Sequence, residues 1–181
     1  MHAEETPGFG TRIEARIVDV VVLAPVPGGG PSSAGTRARD RWRVLTLRRA
    51  EGTRCTGAWE IVHGSIERGE TPVAAARREV QEETGLPIER LYSLTVNPFY
   101  LHRFDAVQLA VVFAAIVDPA APVVLGSEHD AHQWRTPLGA RRALAWPREH
   151  QALDYALHLL RTGDAGPVED VLRLPDPPAP R

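Results

Sequence analysis

The clearest pattern in the chain is a set of short, almost continuous apolar runs, which is typical of buried β-strands. The run within Ile13–Leu23 is rich in β-branched residues, and Val107–Val117 is apolar at nearly every position. Both runs predict buried strands, and the second predicts a central one. Shorter runs predict three more strands, at Trp42–Arg49, Trp59–His63 and Ile88–Val96.

Three other segments carry helix signals. Thr71 is a good N-cap, Pro72 suits the first helical position, and Gly85 can end a helix in a left-handed conformation. These residues predict a helix between Thr71 and Gly85. The segments Pro137–Ala145 and Pro147–Arg161 each begin with a proline and predict two more helices. The apolar spacing of the last one predicts that it packs on the sheet.

Three stretches fall outside this pattern. Residues 1–11 form an N-terminal extension, and residues 25–41, rich in Gly, Pro and Ser, predict a flexible loop insertion. Residues 162–181 end in a proline-rich sequence and predict a disordered tail. The remaining residues, 12–161, predict one globular domain, and the order of strands and helices indicates an α/β or α+β fold.

The predicted helix at 71–85 has an acidic face. Glu79, Glu82 and Glu83 fall within an arc of about 100° at helical spacing. Like charges at this spacing destabilise a helix, so the cluster favours a bound cation, and carboxylate oxygens suit Mg²⁺ or Mn²⁺. Arg78 lies beside the cluster and can hold one carboxylate in a fixed orientation. A plain solvated acidic helix is the alternative interpretation.

The spacing of Gly64, Glu70 and the run Arg78–Leu86 resembles the complete signature of the Nudix hydrolases. The resemblance implies a Nudix fold: an α+β domain in which a mixed, curved β-sheet lies between helices as an α/β/α sandwich. It also implies a metal-dependent pyrophosphohydrolase. No residue of the signature is missing, which favours an active enzyme over a relative that has lost catalysis.

The same resemblance implies a set of metal ligands. Two or three Mg²⁺ or Mn²⁺ ions would be held with the substrate by Glu79, Glu82, Glu83 and the backbone carbonyl of Gly64. The later segment EHDAHQW is also similar to the family, and it makes Glu128 a further ligand.

Catalytic and supporting roles follow from the same source. Glu79 and Glu128 are both candidates for the base that activates water, and the sequence leaves the choice open. Arg78 would orient Glu79, Glu82 would act with it at the reaction centre, and Glu70 would hold the loop to the helix.

Four residues are candidates for contact with substrate. Trp59 can stack on a base and His63 can contact phosphate, although both residue types are also common in purely structural positions near strands. His102 and Arg103 lie in the segment Asn97–Asp105, which mixes aromatic and basic residues and suits contact with a nucleobase and phosphate. The alternative is a hairpin whose aromatic residues fill the core.

Composition excludes several classes of function. The net charge of −2 predicts no nucleic-acid-binding surface, and the 21 basic residues are all arginine, which excludes lysine chemistry. Cys55 is the one cysteine, so no internal disulfide is expected and a reducing, cytoplasmic setting is predicted. No apolar run reaches the roughly 18 residues that span a membrane. A homodimer is consistent with the resemblance, but no segment specifies its interface.

These observations predict an enzyme acting on a nucleoside diphosphate linked to another group. The local sequence around Gly64 and EHDAHQW is most similar to bacterial enzymes that convert (deoxy)nucleoside triphosphates or dihydroneopterin triphosphate to a monophosphate and pyrophosphate. Dinucleoside polyphosphates such as Ap4A, and nucleotide sugars or ADP-ribose, are alternative substrates. A nucleotide-binding sensor without turnover is the alternative from a different class.

Overall fold

A computed structural model describes residues 10–26 and 41–176 of the chain. Within these residues the centre of the fold is a seven-stranded mixed sheet. The strands are β1 (Arg12–Pro25), β2 (Trp42–Arg49), β3 (Trp59–Glu60), β4 (Val62–Ser65), β5 (Ile88–Leu101), β6 (Ala106–Val117) and β7 (His129–Arg135). The helices are α1 (Pro72–Thr84), α2 (Pro137–Ala143), α3 (Pro147–Leu159) and α4 (Glu169–Leu172).

The long strand β1 organises the sheet. On one side it runs parallel to β6, which pairs in turn with β5 at the edge. On its other side β1 carries two shorter strands in succession: β4 pairs with Ile17–Val20, and β2 pairs with Leu23–Pro25, both antiparallel. This arrangement fixes Gly64 of β4 opposite Val18 at the middle of the sheet.

Alternation along the central strands separates two apolar layers. Val18, Val20 and Val22 of β1 belong to a core on the face that α1 covers, whereas Val21 and Leu23 belong to the core under α2 and α3. Because both faces of β1 and β6 are covered, nearly every side chain in their apolar runs is buried. The α/β/α sandwich predicted from the sequence is therefore confirmed.

The signature helix has the boundaries that the sequence predicts. The Thr71 hydroxyl accepts a hydrogen bond from the Ala74 amide at 3.2 Å, and Pro72 is the first helical residue. Gly85 ends α1 with a φ of 67°, in the left-handed region that glycine favours. Helix α1 thus takes its start and end from local sequence.

Two strands differ from their predicted limits. The predicted strand Trp59–His63 is divided at Ile61, because the chain pairs first with β2 and then with β1. Strand β5 continues past Val96 to Leu101 along β6. Pro98 is compatible with β5 because β5 is an edge strand, in which not every backbone N–H has to donate to a neighbouring strand.

The prediction of a disordered tail is wrong for residues 162–176. These residues include α4, and the side chain of Leu174 packs on the core under α1. The Leu174 amide bonds to the Leu91 carbonyl at 2.8 Å, and the Tyr92 hydroxyl donates to Glu169 at 3.0 Å. A few anchoring contacts with β5 order a segment that is too poor in apolar residues to form a core alone.

Other predictions fall largely outside the described residues. These include most of the 1–11 extension, positions 27–40 of the predicted 25–41 loop, and positions 177–181 of the tail. At the ends of that loop the Val26 amide bonds to the Arg41 carbonyl at 2.8 Å. Among the described helices, none has the length and apolarity that a membrane crossing requires.

Candidate active site

Arg78 connects three of the signature carboxylates. Its Nε and Nη2 both donate to Glu70 at 3.0 Å in a bidentate pair, and its Nη1 donates to Glu79 at 2.8 Å and to Glu82 at 3.1 Å. Nη2 also donates to the Ser65 carbonyl at 2.8 Å. These bonds raise the pKa of Arg78, first through Glu70, so the guanidinium is a permanent cation that ties β4 to α1.

The Glu79 carboxylate lies against the backbone of Gly64. A Cβ added at Gly64 would overlap all three atoms of that carboxylate, so any larger residue would displace Glu79. Burial raises the pKa of Glu79, while hydrogen bonding and charge from Arg78 oppose the rise. Gly64 is therefore the position that lets this carboxylate approach the strand.

Glu83 is the most strongly perturbed carboxyl group of the signature. Burial raises its pKa to about 9, and the charges of Glu79, Glu60 and Glu128 add to the rise. The His63 amide donates to this carboxyl group, but its Oε2 has no hydrogen-bond partner among the described residues. A buried, unpaired oxygen surrounded by negative charge is a favourable position for a cation.

A second arginine, Arg49, contacts two further carboxylates whose charges act on Glu83. Arg49 Nη1 donates to Glu128 at 2.6 Å and lies 3.4 Å from Glu60. Glu60 is buried and also contacts Nε2 of the buried His129 at 3.1 Å. The Glu128 side chain, 62% exposed, is held at the site mainly by Arg49.

We use the term acidic site for Gly64, Glu79, Glu82, Glu83 and Glu128. As they stand, no three acidic or histidine side chains of the described chain converge tightly enough to enclose an ion. Arg78 and Arg49 hold Glu79, Glu82 and Glu128 instead. The donor set nevertheless fits a hard divalent ion, because it consists of carboxylate and backbone oxygens around the unpaired Oε2 of Glu83.

A cavity of about 510 Å³ adjoins the acidic site. We call it the aromatic cleft, and its lining includes Phe99, Tyr100, Trp146, Arg148, His63 and Glu60. His63 and Glu60 connect the cleft to the acidic site. The His63 amide donates to the Glu83 carboxyl group, and the charge of Glu60 raises the pKa of Glu83. The cleft is large enough for one heteroaromatic ring system beside a chain of phosphates.

A buried ion cluster forms one wall of the cleft. Asp19 of β1, completely buried, accepts from His63 Nδ1 at 2.6 Å and from Arg148 Nε at 2.9 Å. Burial alone would raise the pKa of Asp19, but His63 and Arg148 outweigh it and the pKa lies below its usual value. Nδ1 of His63 also lies 3.1 Å from Nη2 of Arg148, so that both members of the ion pair hold the imidazole ring in position.

Comparison with known proteins identifies the family. The family model for the NUDIX domain matches residues 32–155. The chain belongs to the NUDIX family. A MutT-like protein of Streptomyces ambofaciens is 43% identical over 138 residues, which is 75% of this chain and 79% of that protein. The Nudix assignment made from the signature is thereby confirmed, and with it hydrolysis of pyrophosphate-containing substrates as the class of reaction.

Other relatives match less of the sequence. Dihydroneopterin triphosphate diphosphatase of Escherichia coli K12 is 27% identical over 122 residues, 60% of this chain and 79% of that enzyme. A protein named octanoyltransferase from Myxococcus xanthus is 38% identical over 121 residues, 63% of this chain, and the match spans only 29% of its length.

A solved structure supports the Nudix fold. A NUDIX hydrolase from Listeria monocytogenes superposes with a TM-score of 0.63 at 21% identity, covering 81% of this chain and 94% of that protein. The two proteins therefore share the same arrangement of sheet and helices over the matched part of the chain.

Of the four residues of this Nudix domain that the sequence predicts to contact substrate, one lines the cleft. His63 lines the cleft, but His102 and Arg103 lie on an exposed 3-10 turn and are not among the cleft residues. Because β5 continues to Leu101, the cleft takes Phe99 and Tyr100 from the predicted segment and leaves the basic pair beyond it. Trp59 is half-buried beneath the guanidinium of Arg135, 4.5 Å from its ring centre, and is also outside the cleft lining.

Sequence reasoning missed the residues that build the second half of the site. Asp19, Glu60 and His129 are buried polar residues on strands, and Arg148 and Trp146 lie at the start of α3. A signal was present for the first two, because a lone acidic residue within an apolar strand is costly unless it is paired. Nothing in the spacing indicated that Arg148 would be the partner of Asp19.

Proposed function

We propose that this Nudix domain hydrolyses a (deoxy)nucleoside triphosphate or dihydroneopterin triphosphate to a monophosphate and pyrophosphate. The observation that carries the proposal is the junction of two features at His63 and Glu60: an acidic site suited to metal-bound phosphates and an aromatic cleft of about 510 Å³. The relationship to the Escherichia coli dihydroneopterin triphosphate diphosphatase, over 79% of that enzyme, supports the choice. Acyl transfer is not carried over, because the shared region is only 29% of the octanoyltransferase.

Divalent ions belong to the proposal, as Nudix hydrolases generally use metals such as Mg²⁺. Glu79, Glu82, Glu83, Glu128 and the Gly64 carbonyl are the groups that would hold two or three of them. The ions would neutralise phosphate oxygens and lower the pKa of a bound water. A bound cation would stabilise the ionised form of Glu83 most, because its unpaired oxygen is buried among other carboxylates.

The two arginines prepare these carboxylates for the reaction. Arg78 donates to Glu79 and Glu82 while its bidentate bond to Glu70 holds the guanidinium in position, and Arg49 donates to Glu128. Water attacks one phosphorus atom, the bridging P–O bond breaks, and the proton of the water passes to a carboxylate. Glu79 and Glu128 are the two candidates to accept this proton, and each is hydrogen-bonded to an arginine that limits its movement.

Product identification tests the proposal. The purified protein with Mg²⁺ is given nucleoside triphosphates, dihydroneopterin triphosphate, dinucleoside polyphosphates and nucleotide sugars, and the products are separated by ion-exchange chromatography. Monophosphate and pyrophosphate in equal amounts are expected from a triphosphate. Turnover restricted to the dinucleoside polyphosphates or nucleotide sugars would overturn the choice of substrate but not the chemistry.

Glu82→Gln is the matched variant for this assay. The change removes a charge from an exposed side chain, so the fold should survive, and turnover should fall by about two orders of magnitude. A sensor would behave differently: the wild type would bind a nucleotide without hydrolysing any substrate in the panel. That result, with no phosphate or pyrophosphate released, would contradict the hydrolase proposal and support a nucleotide-binding sensor.

A further inference from the structure

The guanidinium of Arg148 is fixed in the wall of the aromatic cleft. Its Nε donates to Asp19 Oδ2 at 2.9 Å, and Nη2 lies 3.4 Å from Oδ1 of the same carboxylate. The rings of Phe99 and Trp146 lie 4.9 Å and 5.5 Å from its central carbon. With its side chain only 12% exposed, Arg148 has little freedom to change its position.

One nitrogen of this group has no partner among the residues that the structure describes. Within residues 10–26 and 41–176, Nη1 of Arg148 donates to no acceptor, and it is not among the fully buried unpaired atoms. Nη1 therefore keeps some contact with solvent, and Arg148 is one of the residues that line the cavity. Its two N–H groups are therefore available to donate to a ligand in the cleft.

The charge of Arg148 is already balanced, which bears on the kind of ligand that it contacts. Asp19 is fully buried and ionised beside it. The neighbouring Glu149 is also buried, and burial raises its pKa well above the usual value. An arginine neutralised in this way suits a neutral hydrogen-bond acceptor better than a phosphate, which the acidic site and its ions would hold.

We propose that Arg148 is a specificity-determining residue that selects substrates whose ring presents a carbonyl acceptor, such as a 6-oxopurine or a 4-oxopteridine, over rings with an amino group at that position. The aromatic side chains supply a surface for the ring, and Nη1 supplies the hydrogen bond. Because arginine only donates, an exocyclic amino group would meet two donors and leave them unpaired. This inference rests on the proposed hydrolysis of a ring-bearing triphosphate.

Inosine and adenosine triphosphates form a matched pair for the test, because their purines differ in the oxo or amino group at position 6. We expect kcat/KM for the inosine compound to be about tenfold higher, the difference typical of one charged hydrogen bond. The corresponding monophosphates, titrated calorimetrically with EDTA present, should show the same order of affinity. This second measurement requires no catalysis.

Variants separate selection from stability. Arg148→Gln should bring the ratio of the two kcat/KM values close to one, because an amide can accept as well as donate. If that variant folds poorly, the double variant Asp19→Asn with Arg148→Gln removes the charge left buried. Arg142→Ala, an exposed arginine of α2, is the control and should keep the tenfold ratio.

The outcomes are distinct. Equal kcat/KM values for both triphosphates in the wild type, or a ratio that Arg148→Gln leaves unchanged, would overturn the inference while the hydrolase stands. An equal loss of binding for both monophosphates in Arg148→Gln would also overturn it, since Arg148 would then hold the phosphate. Absence of all hydrolysis would defeat the proposed function, and the affinities of the two monophosphates would still decide the role of Arg148.

Discussion

The acidic site and the aromatic cleft meet at His63 and Glu60, but they are built in different ways. Four of the five residues of the acidic site lie between Gly64 and Glu83, and one helix with one loop positions them. The cleft combines residues of strands β1 to β5 with the start of α3, and the ion pair in its wall joins Asp19 to Arg148 across 129 positions.

The difference has an energetic side. In the acidic site the carboxylates outnumber the arginines, so the site is electrostatically unfavourable until cations bind, as the raised pKa of Glu83 indicates. In the cleft each buried charge has its partner, and the pKa of Asp19 is lowered. The acidic site carries an excess of negative charge that a cation would offset, whereas the ion cluster of the cleft holds its charges in pairs.

The largest expected effect comes from Gly64→Ala. The added methyl group would overlap the Glu79 carboxylate, so turnover should fall by about 100-fold as that group is displaced. Gly139→Ala in α2 adds the same methyl where the nearest atoms are 3.2 Å and 3.6 Å away, and it should keep near-normal activity. Steady-state assays of both variants test the prediction, which fails if their rates are similar.

The ion pair between Asp19 and Arg148 can be tested by removing either partner. Arg148→Ala should lower the free energy of unfolding by about 3 kcal/mol, because Asp19 would stay buried with only His63 as partner. Adding Asp19→Asn should recover part of that loss, since the unpaired charge is removed. Urea denaturation of the two single variants and the double variant measures the coupling, and strictly additive losses would show that the two residues do not act as a pair.

The acidic site can be tested through its dependence on pH. The pKa of Glu83 is about 9 in the folded protein, above its ordinary value of 4.5. Between these values the unfolded chain loses the proton and the folded chain keeps it, so stability without metal should fall as pH rises, by up to about 1.4 kcal/mol per pH unit. Below pH 4.5 Glu83 should contribute no slope.

Glu83→Gln supplies the comparison for this measurement. A neutral amide cannot ionise, so the variant should gain stability relative to the wild type between pH 5 and pH 9 in EDTA. Saturating Mg²⁺ should remove most of the difference by stabilising the wild type. Stability curves that stay parallel across this range in EDTA would mean that Glu83 is ionised in the folded protein.

The smallest effect is expected at the N-cap of the signature helix. Thr71→Ala removes the N-cap hydrogen bond and should cost about 1 kcal/mol, while Thr71→Ser should keep most of the stability. Thermal unfolding measures the loss. Because Thr71 is exposed and α1 is anchored by its packing and by Arg78, turnover should stay close to normal in both variants. A large loss of activity would mean that the cap also positions the carboxylates.

Much of the fold could be predicted because its signals are local. The limits of α1 follow from Thr71, Pro72 and Gly85, and the continuous apolar runs of β1 and β6 follow from burial on both faces. The tail could not be predicted, since residues 162–176 gain their order from partners on β5 that lie about 80 positions earlier, such as Tyr92. The exact end of β5 was missed because its edge position tolerates Pro98.

For this chain the sequence by itself determined the family, the α/β/α sandwich and the acidic face of α1. Helical spacing alone brings Glu79, Glu82 and Glu83 together, so a linear pattern is sufficient to recognise them. Only the tertiary structure decided that Arg148 meets Asp19, that Arg49 joins Glu60 to Glu128, and that His102 and Arg103 lie beyond the cleft. Those contacts depend on strand register and helix packing, which adjust many distant residues at once and leave no short pattern in the chain.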